Sequence, residues 1–191
     1  MLNNILANFN WFDVVLVIVI IRAVYIGALQ GFVIDFFKLL GMFFATVLTL
    51  HYYSRLGEFL QKSISLSIEW SEVIIFVLLW ALIVLIFKFI REGWLLIIKA
   101  EAKGGVSQWG GGFIGVFRSF LICGMLFLLC GITGNKTLNT YAENCVGGRY
   151  LRDLSPKVYQ TVYDGVLVKF FPEEKLNERA LGTEKEKSKK K

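Results

Sequence analysis

The most constraining feature of the sequence is an apolar run that extends with few interruptions from Trp11 to Leu50. A single straight helix of that length would measure about 60 Å, roughly twice the thickness of the hydrocarbon layer of a bilayer. The chain must therefore fold back within the run. The segment GALQG, Gly27 to Gly31, predicts the turn, because it combines glycines with a polar residue near the midpoint of the run.

The composition is that of an integral membrane protein rather than a soluble domain. Of the 191 residues, 55% are hydrophobic and only two are proline, and the mean hydropathy is +0.59. Later apolar segments also approach the ~20 residues that a spanning helix needs. We predict an all-α fold with four transmembrane helices, the first two forming a tight hairpin, in a domain of residues 1–134 whose spans cover about residues 11–29, 32–50, 73–95 and 112–133.

The segments outside these spans have a different composition. Residues 135–171 contain one apolar stripe at helical spacing, which predicts a short extramembrane amphipathic helix; its members are Leu151, Leu154, Val158 and Val162. Residues 172–191 are charged and are expected to form a disordered basic tail. The connector after the second span is predicted to lie along the membrane surface as a further amphipathic helix.

The positions of the basic residues predict the orientation of the chain in the membrane. No Lys or Arg precedes the first apolar run and no small-residue cleavage site follows it, so the first helix is expected to be retained. Basic residues accumulate at the end of the bundle that holds the first turn, namely Lys88, Arg91, Lys99 and Lys103. By the positive-inside rule, both termini are predicted to lie outside the cytoplasm.

Charged residues inside the predicted spans are the candidate functional residues. If the turn is centred near residues 28 and 29, Arg22 and Asp35 lie about 10 Å from it on the two arms, and therefore at the same depth. Lys38 follows Asp35 by one helical turn and is placed to share its carboxylate. Arg118, near the end of the fourth span, also needs a partner, for which Asp35 and Glu101 are candidates.

These charges have a structural and a functional interpretation. A charge within a span costs about 2.5–3.5 kcal/mol on insertion scales, so a partner or a wet cavity is expected. The cost favours a structural ion pair of Arg22 with Asp35 that locks the hairpin. The alternative is a proton or ion relay, or the polar lining of a cavity.

Small residues recur every four positions on two of the predicted spans. One face consists of Gly111, Gly115, Ser119 and Cys123, and the other consists of Ala23, Gly27 and Gly31. Faces of this kind allow membrane helices to approach closely. The first and fourth spans are therefore predicted to pack together, and a phosphate-binding loop is disfavoured because the glycines lack the order of a P-loop.

Several classes of function are not supported by the sequence. Half of the net charge of +6 comes from the terminal EKEKSKKK, which is typical of a solvated tail, so nucleic-acid binding is not expected. No motif of a hydrolase or of an intramembrane protease dyad occurs. With three cysteines and the single histidine His51, neither a metal site nor a cofactor is expected. We therefore predict a protein that is not an enzyme.

The chain resembles the colicin V production (CvpA) family over roughly residues 10–165. The carrying motifs are an aromatic-x-Asp entry at Trp11 and Asp13, a polar-Gly-Phe turn at Gln30, Gly31 and Phe32, the acid Asp35, the glycines and arginine of GGGFIGVFRSFLI, and the segment RYLRDLSPKVYQ. The family often has Arg where this chain has Gln30 and Asp where it has Ser107. Arg22 is not part of the usual pattern.

The resemblance implies a four-span protein of the bacterial cytoplasmic membrane that acts in colicin V production or export and in envelope maintenance. We expect a non-enzymatic accessory or scaffold whose partners are the lipid bilayer and unidentified membrane or envelope proteins, with homo-oligomers also possible. The alternative is a small transporter or channel with a polar path lined by Arg22, Asp35, Lys38 and Arg118.

Overall fold

A computed structural model describes residues 11–64, 67–97, 104–134, 137, 139–140, 145, 147–170, 176–177 and 179–181. Within these residues the chain forms five long helices and no strand. The helices are α1 (Trp11–Gln30), α2 (Phe32–Ile64), α3 (Ile68–Ile97), α4 (Gly105–Ile132) and α5 (Gly148–Val162). A π-helical turn, Tyr163–Leu167, and the short segment Val168–Phe170 continue α5. The first four helices are long and apolar enough to cross a membrane. The predicted all-α fold with four spans and a short C-terminal helix is thus confirmed.

A single residue, Gly31, separates α1 from α2. Its φ of 84° lies in the left-handed region that favours glycine. The Gly31 N–H donates to the Gly27 carbonyl at 3.0 Å, and the Gly31 carbonyl accepts from the Asp35 N–H at 3.2 Å. The turn therefore lies at the end of the predicted GALQG segment rather than at its centre.

The helices follow the order α1, α4, α2, α3 across the bundle. Although α1 and α2 are consecutive, α1 packs mainly on α4, and α2 packs on both α4 and α3. The two arms of the hairpin thus contact each other only to a small extent. This order brings residues of α4 between the charged side chains of α1 and α2.

The helix α2 is longer than the predicted second span. Its 33 residues correspond to about 50 Å and continue through most of the connector that was expected to form a separate surface helix. The extension is held by α3: the rings of Tyr53 and Phe76 meet edge to face with centroids 5.7 Å apart. Farther along, Gly57 lies so close to Glu72 that a Cβ atom would be 2.9 Å from its Cγ. Close packing on α3 therefore keeps the connector helical and continuous with α2.

The helix α5 packs on α4 and α2 at the end of the bundle opposite to the Gly31 turn. Tyr159 is fully buried there, with Leu50, Phe76 and Met125 in the same core cluster. At Gly124 of α4, a Cβ atom would lie 2.9 Å from the Leu151 carbonyl oxygen. The predicted apolar stripe thus faces the core, where Leu151 is buried and Leu154, Val158 and Val162 are half-buried.

Part of the segment that was predicted to be disordered is ordered. Residues 176–177 and 179–181 lie against α2, α3 and α5, and Ala180 is buried. Leu176 and Leu181 pack on the same core cluster as Tyr159. The prediction from composition was wrong for these residues because two leucines and an alanine between charges suffice to fill a surface groove. The other positions of 172–191 lie outside the described residues.

Large apolar side chains face outward along the spans. Ile18, Ile21 and Tyr25 of α1 are exposed, as are Leu78, Leu82 and Phe89 of α3. Such a surface would be unstable in water but suits lipid, where the exposed positions of a bundle are apolar. The chain is a multi-pass membrane protein.

Candidate functional site

The candidate site is a buried ion pair between α2 and α4. Asp35 lies in the first turn of α2 and is completely buried. The guanidinium of Arg118 donates through Nη1 to Asp35 Oδ1 and through Nη2 to the Ala23 carbonyl at 3.3 Å. Arg118 itself is only 8% exposed. One arginine thus links three helices, since Ala23 belongs to α1.

A second cation shares the same carboxylate. Lys38 Nζ lies 3.5 Å from Asp35 Oδ1 and donates a hydrogen bond to the side-chain carbonyl of Gln30. The Lys38 side chain is 18% exposed, whereas that of Asp35 is fully buried. The cluster of Gln30, Asp35, Lys38 and Arg118 therefore contains one anion and two cations. Placement of Asp35 at the amino end of α2 also stabilises its charge through the helix dipole.

Small residues allow the helices to approach closely enough for this contact. A Cβ atom on Gly111 would overlap the Gly27 carbonyl oxygen and lie 2.8 Å from the Gly31 carbonyl carbon. A Cβ atom on Gly115 would lie 2.6 Å from the Ala23 carbonyl oxygen. The two predicted small-residue faces thus meet in the structure. Ser119, one turn farther along α4, is fully buried, and its hydroxyl donates to the Val116 carbonyl of its own helix at 2.6 Å.

Arg22 does not take part in the cluster. Its side chain is exposed on α1, beside the outward-facing Ile18, Ile21 and Tyr25. Among the described residues it forms no ion pair, and Asp35 is bonded to Arg118 and Lys38 instead. The predicted pairing of Arg22 with Asp35 was wrong because matching depth does not fix which way a side chain points around the helix. Arg118, for which Asp35 was one of two candidate partners, takes that place.

The cluster can hold charge inside the membrane, and one of its atoms remains unused. Asp35 Oδ2 is buried and has no hydrogen-bond partner among the described residues. A Cβ atom on Gly27 would lie 3.0 Å from it, so the oxygen lies against the close contact between α1 and α4. No group of metal-ligating side chains occurs in the part of the chain that the structure describes. The arrangement therefore supports a fixed ion pair or a protonation site, and no metal chemistry follows from it.

A second polar network lies farther along α2, on the side of Asp35 away from the Gly31 turn, and no motif in the sequence predicts it. His51 and Tyr159 are both buried, with 2.9 Å between His51 Nδ1 and the Tyr159 hydroxyl. That hydroxyl also accepts the backbone N–H of Asn177 at 3.1 Å. Asp13, at the start of α1, is buried as well and accepts from Cys145 Sγ at 2.7 Å. Only tertiary packing brings these groups together, because they are distant in sequence and match no local motif.

One protein-family model matches most of the chain. The model described as colicin V production protein matches residues 12–156. The matched range contains α1 apart from Trp11, α2 to α4, and α5 as far as Pro156. It therefore includes the Asp35–Arg118 pair and both small-residue faces. No curated protein and no solved structure matches the chain. Since this family model matches most of the chain, the protein belongs to the colicin V production (CvpA) family.

Proposed function

We propose that the chain is a non-enzymatic accessory or scaffold protein of the bacterial cytoplasmic membrane that acts in colicin V-type toxin production or export and in envelope maintenance. Membership in the colicin V production family supports the proposed part in toxin production or export. The observation that carries the scaffold role is the position of the Asp35–Arg118 pair. Both side chains are buried between helices and are used to hold α1, α2 and α4 together.

A scaffold role suits this geometry better than a passage for ions. A conducting path requires charged groups that water can reach, whereas Asp35 is completely buried and Arg118 nearly so. The helix contact around the pair is also too tight for water, since Cβ atoms would already overlap the backbone at Gly27 and Gly111. Removing Asp35 leaves Arg118 buried without a carboxylate, and removing Arg118 leaves Asp35 with Lys38 alone, so either single change should destabilise the fold.

The orientation is part of the proposal. Basic side chains at the Gly31 end of the bundle, Lys38, Lys88 and Arg91, favour the cytoplasm for that end. The termini, α5 and the His51 network then lie on the outer side. The partners we propose are the bilayer and envelope proteins that contact the outer end, with self-association also possible.

The accessory role is tested in cells that produce the toxin but lack this chain. We expect reintroduction of the wild-type chain to restore secreted toxin and tolerance of detergent. The variants Asp35→Leu and Asp35→Leu/Arg118→Leu distinguish a structural role of the ion pair from a chemical role of its charges. If the pair only supports the scaffold, the single variant fails and the double variant restores both phenotypes. Failure of the wild-type chain to restore either phenotype would exclude the proposed role.

A transporter or channel is the second candidate. Asp35 Oδ2, which has no hydrogen-bond partner within the described part of the chain, favours it because a proton could bind there. Lys38, which is partly exposed, would connect the buried carboxylate to the surface. Purified protein in liposomes loaded with a pH-sensitive dye tests this candidate. Proton flux that Asp35→Asn abolishes, while Arg22→Gln leaves it unchanged, would support transport and contradict the scaffold role.

A further inference from the structure

A cavity of about 430 Å³ lies at the outer end of the bundle, apart from the Asp35 cluster. Its walls combine residues of α2, α3, α4, α5 and the C-terminal segment. The apolar part is formed by Leu50, Tyr53, Leu128, Ile132 and Leu181. A cavity of this size, with mostly apolar walls and a few charged groups, has the properties of a ligand site.

The charged residues of the cavity are mainly acidic. Of the described residues that line it, Glu69, Glu72 and Asp153 carry carboxylates, and Arg179 carries the basic group. Glu72 is the most buried of the ion-paired carboxylates here, with a side chain 12% exposed. Glu69 is exposed and lies against Gly134, where a Cβ atom would be 3.0 Å from its carboxylate. The cavity therefore favours a ligand with a positive charge on an apolar body.

The C-terminal segment of the chain already places such a group at the cavity. Arg179 Nη1 lies 2.7 Å from Glu72 Oε1 and 3.1 Å from Glu58 Oε1. The next residues, Ala180 and Leu181, turn apolar side chains into the cavity wall. Asn177 anchors the segment, because its side-chain amide donates to the Leu50 carbonyl at 2.7 Å. A guanidinium followed by two apolar residues is thus the form of peptide that this surface accommodates.

We propose that the outer cavity is a peptide-binding site for a basic residue followed by apolar residues, and that residues 176–181 occupy part of it in cis. A peptide from another protein would place its cation between Glu58 and Glu72 and its apolar side chains in the remaining volume. The C-terminal segment competes with such a peptide. The peptide binds only molecules in which the segment is undocked, so its apparent affinity falls as the docked fraction rises. This inference does not depend on the accessory role, because it concerns binding by the purified chain alone.

The test uses two labelled hexapeptides and the full-length protein in lipid nanodiscs. The first peptide, LNERAL, copies residues 176–181, and the second, LNEQAL, lacks the cation. We expect LNERAL to bind Asn177→Ala/Arg179→Gln about tenfold more tightly than the wild type, because the competing segment is released. Adding Glu72→Gln to that variant should abolish binding. Glu92→Gln, a change of an exposed carboxylate elsewhere on α3, is the matched control and should leave binding unchanged.

A second measurement covers the case in which the released variant does not fold. In Leu181→Cys, saturating LNERAL should raise the rate of labelling at position 181 by a water-soluble maleimide several-fold, and LNEQAL should not. The same labelling of the parent chain corrects for Cys123, Cys130 and Cys145. Three results would each overturn the proposal: equal binding of both peptides, no binding of LNERAL to folded Asn177→Ala/Arg179→Gln, or a labelling rate at position 181 that LNERAL does not change.

Discussion

The guanidinium of Arg118 on α4 binds the carboxylate of Asp35 on α2, 83 positions earlier in the chain. It also reaches the Ala23 carbonyl of α1, so that one side chain connects the two arms of the first hairpin through a third helix. The hairpin is thus held mainly by α4, in addition to the hydrogen bond from Lys38 to Gln30 that joins its own arms.

The first prediction concerns this pair. Asp35→Leu leaves Arg118 and Lys38 without their buried carboxylate, and Arg118→Leu leaves Asp35 with Lys38 alone. Each single change should destabilise the fold by about 3–5 kcal/mol, the usual cost of breaking a buried pair. The double change Asp35→Leu/Arg118→Leu should recover most of that loss. Thermal unfolding in detergent, followed by circular dichroism, measures both effects, and a double variant no more stable than the singles would contradict the assignment.

The second prediction tests the contact of the small-residue faces. Gly111→Ala should destabilise the bundle by about 1–3 kcal/mol, because the added methyl group overlaps the Gly27 backbone and neither helix has a flexible side chain to move. Gly93→Ala on α3 is the matched control. A Cβ atom there meets nothing within 4 Å, so it should be neutral or stabilising by up to about 1 kcal/mol. Equal effects at the two glycines would mean that α1 and α4 do not pack at Gly111.

The third prediction separates Arg22 from the cluster. Because its side chain is exposed and forms no ion pair within the described part of the chain, Arg22→Leu should change the free energy of unfolding by less than about 0.5 kcal/mol. The same unfolding assay measures it beside Asp35→Leu. A loss as large as that of Asp35→Leu would show that Arg22 does pair with a buried group.

The contrast between Arg22 and Arg118 shows what the sequence could predict. Apolar segment length and glycine spacing determine the four helices, the turn near Gly31 and the small-residue faces, because these depend on local composition and helical period. The choice of partner for Asp35 depends on how helices rotate about their axes and on which helix lies between α1 and α2. Neither the rotation of a helix nor the order of the helices in the bundle follows from the depth of a residue in the membrane.

The contacts at the end of the bundle that holds α5 could not be predicted from the sequence for a related reason. Tyr159 contacts His51 from 108 positions away, and Asn177 contacts Leu50 from 127 positions away. A charged C-terminal composition suggested disorder, yet a few apolar residues and the half-buried amide of Asn177 anchor the segment. Such contacts become visible only when the helices that form the groove are assembled.

The fourth prediction addresses that network. Tyr159→Phe removes the hydroxyl that bonds His51 and accepts the Asn177 N–H, while it keeps the buried ring. The bundle should lose about 1–3 kcal/mol, the cost of leaving buried polar groups without a partner. Hydrogen exchange followed by mass spectrometry should show faster exchange in residues 176–181 than in the wild type, with α4 unchanged. Unaltered exchange in that segment would mean that the hydroxyl does not anchor it.

The fifth prediction uses salt and trypsin to measure the docking of the C-terminal segment. The ion pairs of Arg179 with Glu58 and Glu72 are partly exposed, with the Arg179 side chain 34% accessible, so added salt should screen them. Trypsin needs the arginine side chain in its own specificity pocket, so cleavage after Arg179 reports release of the segment. The rate should rise several-fold between low salt and 1 M NaCl, and Glu72→Gln should already cleave fast at low salt. Cleavage that is fast and independent of salt in the wild type would show that Arg179 is not held by these carboxylates.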